Sequence, residues 1–168
     1  MQLIAEATAI KPGNARLDFN PDSFNQAHGC NSCHSAHEFD RQQAATESCL
    51  GCHADEHSLA FNNSPHGVLW QKEIAGEIGE GEGVSCATCH MPRIKNKQGG
   101  ATIVHVEHNQ NANLRPNEKM IRPVCMQCHS LEFSIDALAD QELIKNNFKG
   151  LPSAHIPSID WALKREER

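Results

Sequence analysis

All eight cysteines of this 168-residue chain stand in four pairs of one spacing, and a histidine follows each pair directly. The runs are Cys30-Asn31-Ser32-Cys33-His34, Cys49-Leu50-Gly51-Cys52-His53, Cys86-Ala87-Thr88-Cys89-His90 and Cys125-Met126-Gln127-Cys128-His129. Paired thiols can close disulfides, run redox exchange or hold zinc. None of these requires histidine at the position after the second cysteine. With histidine at 11 of 168 positions, four such placements have a chance probability on the order of 10^-5. Covalent haem attachment does require it. The two thiols add across the porphyrin vinyl groups, and the adjoining imidazole then lies under the iron as its proximal ligand. The sequence therefore predicts four haem c groups, with Cys30, Cys33, Cys49, Cys52, Cys86, Cys89, Cys125 and Cys128 as attachment points. His34, His53, His90 and His129 are the proximal ligands.

Composition agrees with a core built on something other than ordinary side chains. Hydrophobic residues are 39% of the chain, which suits one globular domain with a modest core, but tyrosine is absent and aromatics are only 5%. We expect the porphyrins to supply much of the interior. The expected fold is mainly α with extensive loops, a small multihaem cytochrome c built around four stacked haems. It forms a single domain over 1–168, with a haem-bearing span of about 28–130 and C-terminal helices over 131–168. The motifs begin at residues 30, 49, 86 and 125, so the first two haems are expected in contact.

The formal charge of −6, to which haem propionates would add, argues against nucleic acid as a partner. Lys164, Arg165 and Arg168 alternate with Glu166 and Glu167 as at a solvated helix end. Gly76 to Gly83 carries acids that would repel phosphate. No run approaches the roughly 20 apolar residues of a membrane span. Haem is attached covalently outside the reducing cytosol, which points to a periplasmic or extracellular protein. The opening Met1-Gln2-Leu3-Ile4-Ala5-Glu6 lacks the basic and apolar regions of a signal peptide, so the expectation is a mature or trimmed form.

Local patterns place the helices. Ser64-Pro65 reads as an N-cap and first helical position, followed by Val68, Leu69, Glu73, Ile74 and Ile78, with Gly79 to Gly83 ending the segment. Leu131, Ile135, Leu138, Leu143, Ile144 and Phe148 keep helical spacing up to Gly150, with Pro152 beyond. A last helix starts near Ser158 and carries Trp161 and Leu163. Ala101 to Val106 is the one strand signal.

Seven histidines remain as candidates for the other face of each iron: His28, His37, His57, His66, His105, His108 and His155. Met91 and Met120 read as core-filling or motif-flanking residues rather than ligands. His28, two residues ahead of Cys30, has three readings of equal standing. It is a ligand within the chain, an exposed helix-end residue, or a ligand lent to the haem of a neighbouring subunit; His155 is a second candidate for that last role.

From about Gly29 to Asp140 the chain resembles the C-terminal haem modules of the hydroxylamine oxidoreductase superfamily of multihaem cytochromes. The likeness rests on Cys33-His34-Ser35-Ala36-His37-Glu38-Phe39, Cys49-Leu50-Gly51-Cys52-His53-Ala54-Asp55-Glu56-His57, Ser64-Pro65-His66-Gly67, Cys89-His90-Met91-Pro92 and Ile121-Arg122-Pro123-Val124 ahead of the fourth motif. It implies distal roles for His37, His57 and His66, and a fourth distal ligand after the Met91-Pro92 pair, where His108 is preferred over His105. The active haem of those enzymes is bonded to a tyrosine, and this chain has none, so the resemblance implies the haem-packing scaffold and not the oxidation of hydroxylamine.

Two functions follow. If every iron carries two histidines, the protein passes electrons and is not an enzyme. If one iron keeps an open position, it is an oxidoreductase acting on a small nitrogen or sulfur compound. The surplus of histidines favours the first, and bis-histidine ligation implies low potentials. The chain is also similar in size and haem number to filament-forming tetrahaem cytochromes, in which a histidine of one subunit completes a haem of the next. That similarity implies an extracellular homopolymer, ahead of a periplasmic carrier, with other redox proteins as partners.

Overall fold

The computed structural model describes Asn20, residues 30–38 and residues 40–166 of the chain. Over these residues the protein is mainly helical with one two-stranded sheet, and its helices are short. A π-helical stretch, Gln43–Glu47, runs directly into α1 (Ser48–Cys52). Then come α2 (Glu56–Ala60), α3 (Pro65–Ile74) and α4 (Cys86–His90), followed by the hairpin β1 (Arg93–Gln98) and β2 (Ala101–Val106). Helices α5 (Gln110–Leu114), α6 (Leu131–Ala139), α7 (Gln141–Lys145) and α8 (Pro157–Glu166) complete the order. No helix among the described residues is long and apolar enough to cross a membrane.

Helices of five residues are too short to persist on their own propensity, and local polar contacts start most of them. Asp55, Ser64, Ser85, Asn109, Ser130 and Asp140 cap α2 to α7, each accepting from a backbone N–H of the first turn. Ser85 and Thr88 form a reciprocal capping box on α4. Ser64 is fully buried and also donates to the Phe61 carbonyl. A Cβ on Gly67 would lie 2.0 Å from that carbonyl oxygen, so glycine is what lets α3 sit against the preceding turn.

Three expectations are corrected in detail. The helix that begins at Pro65 ends at Ile74 rather than running to Ile78. Gly76 takes φ 74° there, and the Glu77 and Gly76 N–H groups turn back to Lys72 and Glu73. The helical run from Leu131 is broken at Asp140, whose extended backbone lets it cap α7, and helix ends again at Lys145. The strand over Ala101–Val106 has a partner that the sequence reading missed. Arg93–Gln98 pairs with it antiparallel, Arg93 opposite Val106 and Gln98 opposite Ala101, around the two-residue turn Gly99-Gly100 with φ 58° and 83°.

The interior is small and polar. Among the described residues the buried apolar side chains are Phe61, Trp70, Ala137 and Leu143, against nine buried polar or charged ones. Polar contacts therefore do much of the holding. Asp136 accepts from the Ile156 N–H and from His155 Nδ1, and Asp140 accepts from Ser153 and Ala154, so two buried carboxylates fasten residues 153–156 to α6 and α7. Arg41 pairs with Glu73 and lies over Trp70, tying the segment before α1 to α3.

Candidate haem sites

Each C-x-x-C-H run folds as a single helical turn. His34, His53 and His129 donate their backbone N–H to the carbonyls of Cys30, Cys49 and Cys125 at 2.9, 2.7 and 2.9 Å, and the third motif is α4 itself. The spacing i, i+3, i+4 then sets both thiols and the imidazole on one face of the turn.

The histidines come together in twos. The ring centres of His34 and His108 are 6.4 Å apart, those of His57 and His90 6.0 Å, and those of His66 and His129 6.0 Å. Two imidazoles on opposite sides of one metal ion have their centres about 6 Å apart, since each metal–nitrogen bond is about 2 Å and the nitrogen lies about 1 Å from its ring centre. In every pair one member belongs to a C-x-x-C-H run and the other comes from a distant element. His57 is on α2, His66 on the first turn of α3, and His108 just past β2.

Hydrogen bonds and burial further define the setting of these imidazoles. His57 Nδ1 lies 2.6 Å from the Ile144 carbonyl and His108 Nδ1 lies 3.0 Å from the Val106 carbonyl. A carbonyl can only accept, so Nδ1–H is the donor in both rings, and Nε2 is the nitrogen left to face the other way. Burial, then the nearby His57 and His53, push His90 down to about 4. Burial and the neighbouring His129 lower His66. The Phe133 ring stacks on His129 at 4.6 Å with planes 16° apart.

The thiols of successive motifs approach one another in chain order. Cys33 is pushed up by burial and then by Cys49, Cys52 and Cys30. Cys49 and Cys86 lie side by side, and each thiol shifts the other, Cys49 upward and Cys86 downward. Cys89 is pushed up to about 12 by burial and then by Cys125 and Cys128. Thiols of each motif thus lie near thiols of the next.

Of the other residues singled out from sequence, His105 points from the exposed strand β2 and makes no ring contact among the described residues, whereas His108 faces His34. His37 is exposed in the loop after the first motif, and no described imidazole faces it. His53 closes α1 beside His90. His155 is committed to Asp136. His28 lies outside the described residues. Sequence reasoning missed the residues behind the ligands: Ile144, Asn147, Phe148 and Phe133. Phe133, four residues after a motif histidine, carried a usable signal; the others act across most of the chain length. No family model matches the chain, and neither a curated protein nor a solved structure matches it.

Proposed function

We propose that this protein is an electron carrier with four covalently attached c-type haems, most of them held between two histidines. The observation that carries the proposal is the pairing of three of the four motif imidazoles with a second imidazole at 6.0–6.4 Å. The thiols that would form the thioethers are Cys30 and Cys33, Cys49 and Cys52, Cys86 and Cys89, and Cys125 and Cys128. The proposed axial pairs are His34 with His108, His90 with His57, and His129 with His66, and His53 is the proximal ligand of the remaining site. Haem, when bound, supplies one-electron exchange at its iron.

The chain's own residues supply position and protection. The capped turns orient each thiol pair, and the carbonyls of Ile144 and Val106 hold the proton on Nδ1 of His57 and His108. At the three paired sites an imidazole on each side leaves no position for a substrate, which favours electron transfer over catalysis on a small nitrogen or sulfur compound there. The order of the thiols favours a chain of haems from the first motif to the fourth. Covalent haem implies an exported protein.

The test is the mass and the electron paramagnetic resonance spectrum of the purified protein across a range of concentrations. Four haems by mass are expected, with the three held between paired imidazoles low-spin. A protein without covalent haem would overturn the proposal, and a persistent high-spin haem would favour the enzyme. A haem that turns low-spin only on concentration would take its ligand from a neighbouring subunit, as in a filament.

A further inference from the structure

We infer that the turn at the end of α7, residues 144–148, is a positioning element for two distal imidazoles at once, His57 and His66; the inference rests on the haem reading above. Its backbone is unusual. Asn147 and Phe148 have φ of 56° and 59°, two successive left-handed residues neither of which is glycine. Asparagine tolerates that region, but a bulky aromatic there is a true outlier that the surroundings must enforce. The Phe148 N–H returns to the Leu143 carbonyl at 2.7 Å, so the turn stops the helix as a Schellman motif does, a job normally given to glycine. Stopping a helix does not explain an asparagine and a phenylalanine in these positions.

Their contacts explain them. The Ile144 carbonyl takes the Nδ1–H of His57 at 2.6 Å, and the buried Asn147 side chain donates from Nδ2 to the His57 carbonyl at 3.0 Å. His57 is thereby gripped at ring and backbone from one turn. The Phe148 ring lies 6.2 Å from the ring of His66. Among the described residues no hydrogen bond reaches the His66 ring, so its orientation rests on packing between Phe148 and its partner His129. One turn therefore sets the protonated nitrogen and direction of the His57 ring and the direction of the His66 ring, whose partners belong to the third and fourth motifs. The His34–His108 pair lies outside its reach, held by Val106. A hydrogen bond to the outer nitrogen makes an imidazole a stronger donor to its metal and favours the oxidised state.

The test compares the holoprotein with Asn147→Gly, Asn147→Asp, Phe148→Gly and Phe148→Tyr, each with four haems verified by mass. Signals are assigned from His57→Met and His66→Met. Asn147→Gly eases the backbone while deleting the Nδ2 bond to the His57 carbonyl; with α2 no longer tied to the turn, the His57 Nδ1–H bond to Ile144 is expected to loosen, shifting the reduction equilibrium of the His57 haem toward the reduced form and moving its low-spin signal. Phe148→Gly is expected to move the His66 signal, with recovery in Phe148→Tyr. The His34 signal stays in place throughout. Unchanged potentials and spectra in Asn147→Gly and Phe148→Gly would reduce the turn to a helix stop and overturn the inference. Should the glycine variants fail to fold, Asn147→Asp, which keeps size and left-handed tolerance but loses the donor, decides it by the same signals. A wild-type protein lacking haem would instead overturn the reading beneath it.

Discussion

His108 and His57 make the same bond by opposite means. His108 gives its Nδ1–H to a carbonyl two residues back, on an exposed hairpin whose strand β2 is solvent-exposed along its length. His57 gives its own to a carbonyl 87 residues further on, in a half-buried setting backed by Asn147 and by the carboxylates that fasten residues 153–156. The hairpin side is ordered by neighbours in sequence and the C-terminal side by tertiary contact. Damage to the packing of the second should reach its histidines, and damage to the first should stay local.

The sharpest way to break this contrast is Gly67→Ala. The added Cβ would meet the Phe61 carbonyl oxygen, a backbone atom, at 2.0 Å, so α3 must shift and carry His66 with it. We expect a loss of about 3 kcal/mol or more in denaturant unfolding, with the His66 signal disturbed and the His34 signal intact. A variant as stable as the parent would contradict the close approach.

Asp136→Ala comes next. It strands the Ile156 N–H behind a buried carboxylate site, and about 1–3 kcal/mol is the expected cost by chemical unfolding. Equal stability would mean that residues 153–156 are not fastened there.

Asp140 gives the same side a dependence on pH. The N–H and hydroxyl of Ser153, with the N–H groups of Leu143 and Ala154, hold its carboxyl well below the ordinary carboxylate range. Its contribution is complete above the unfolded value of about 4. It is lost as pH falls from there through the folded value, because the unfolded state takes the proton first. Thermal melts of the holoprotein should therefore decline below about pH 4, and Asp140→Asn should melt lower at neutral pH while losing less on acidification. Parallel curves for the two proteins would remove Asp140 from the acid response.

The smallest effect belongs to the hairpin. Val104 is 51% exposed, and Val104→Thr should change stability by no more than about 0.5 kcal/mol and leave all haem signals in place. A larger loss would mean that the hairpin face is covered in the native protein.

What was legible in the sequence was local. The four motifs, the Ser64 cap with Pro65, the strand at Ala101 and the final helix all depend on residues within one or two turns of each other. His57, His66 and His108 were reached through family resemblance, and their partners could not be read because each pairing crosses between elements. Phe148 fitted a helical period and was assigned to a helix face, whereas its backbone is left-handed. The break at Asp140 was hidden because an aspartate can continue a helix or cap the next one, and only its bonds to residues 153 and 154 decide which. Arg93–Gln98 was missed because a strand exposed on nearly every side chain has no apolar alternation to display.

The span of 87 residues between His57 and its carbonyl partner also has a consequence in time. A chain is made N-terminus first, so His57, its partner His90 and all four C-x-x-C-H motifs exist before Ile144 and Asn147 do. The bond that orients His57 is among the last to become possible, while His108 follows its own acceptor by two residues and needs no such wait. A chain cut short after the fourth motif would keep every attachment point and still lack the means to finish its third site. The final stretch of the molecule thus acts as a completion step for a pair of imidazoles laid down long before it.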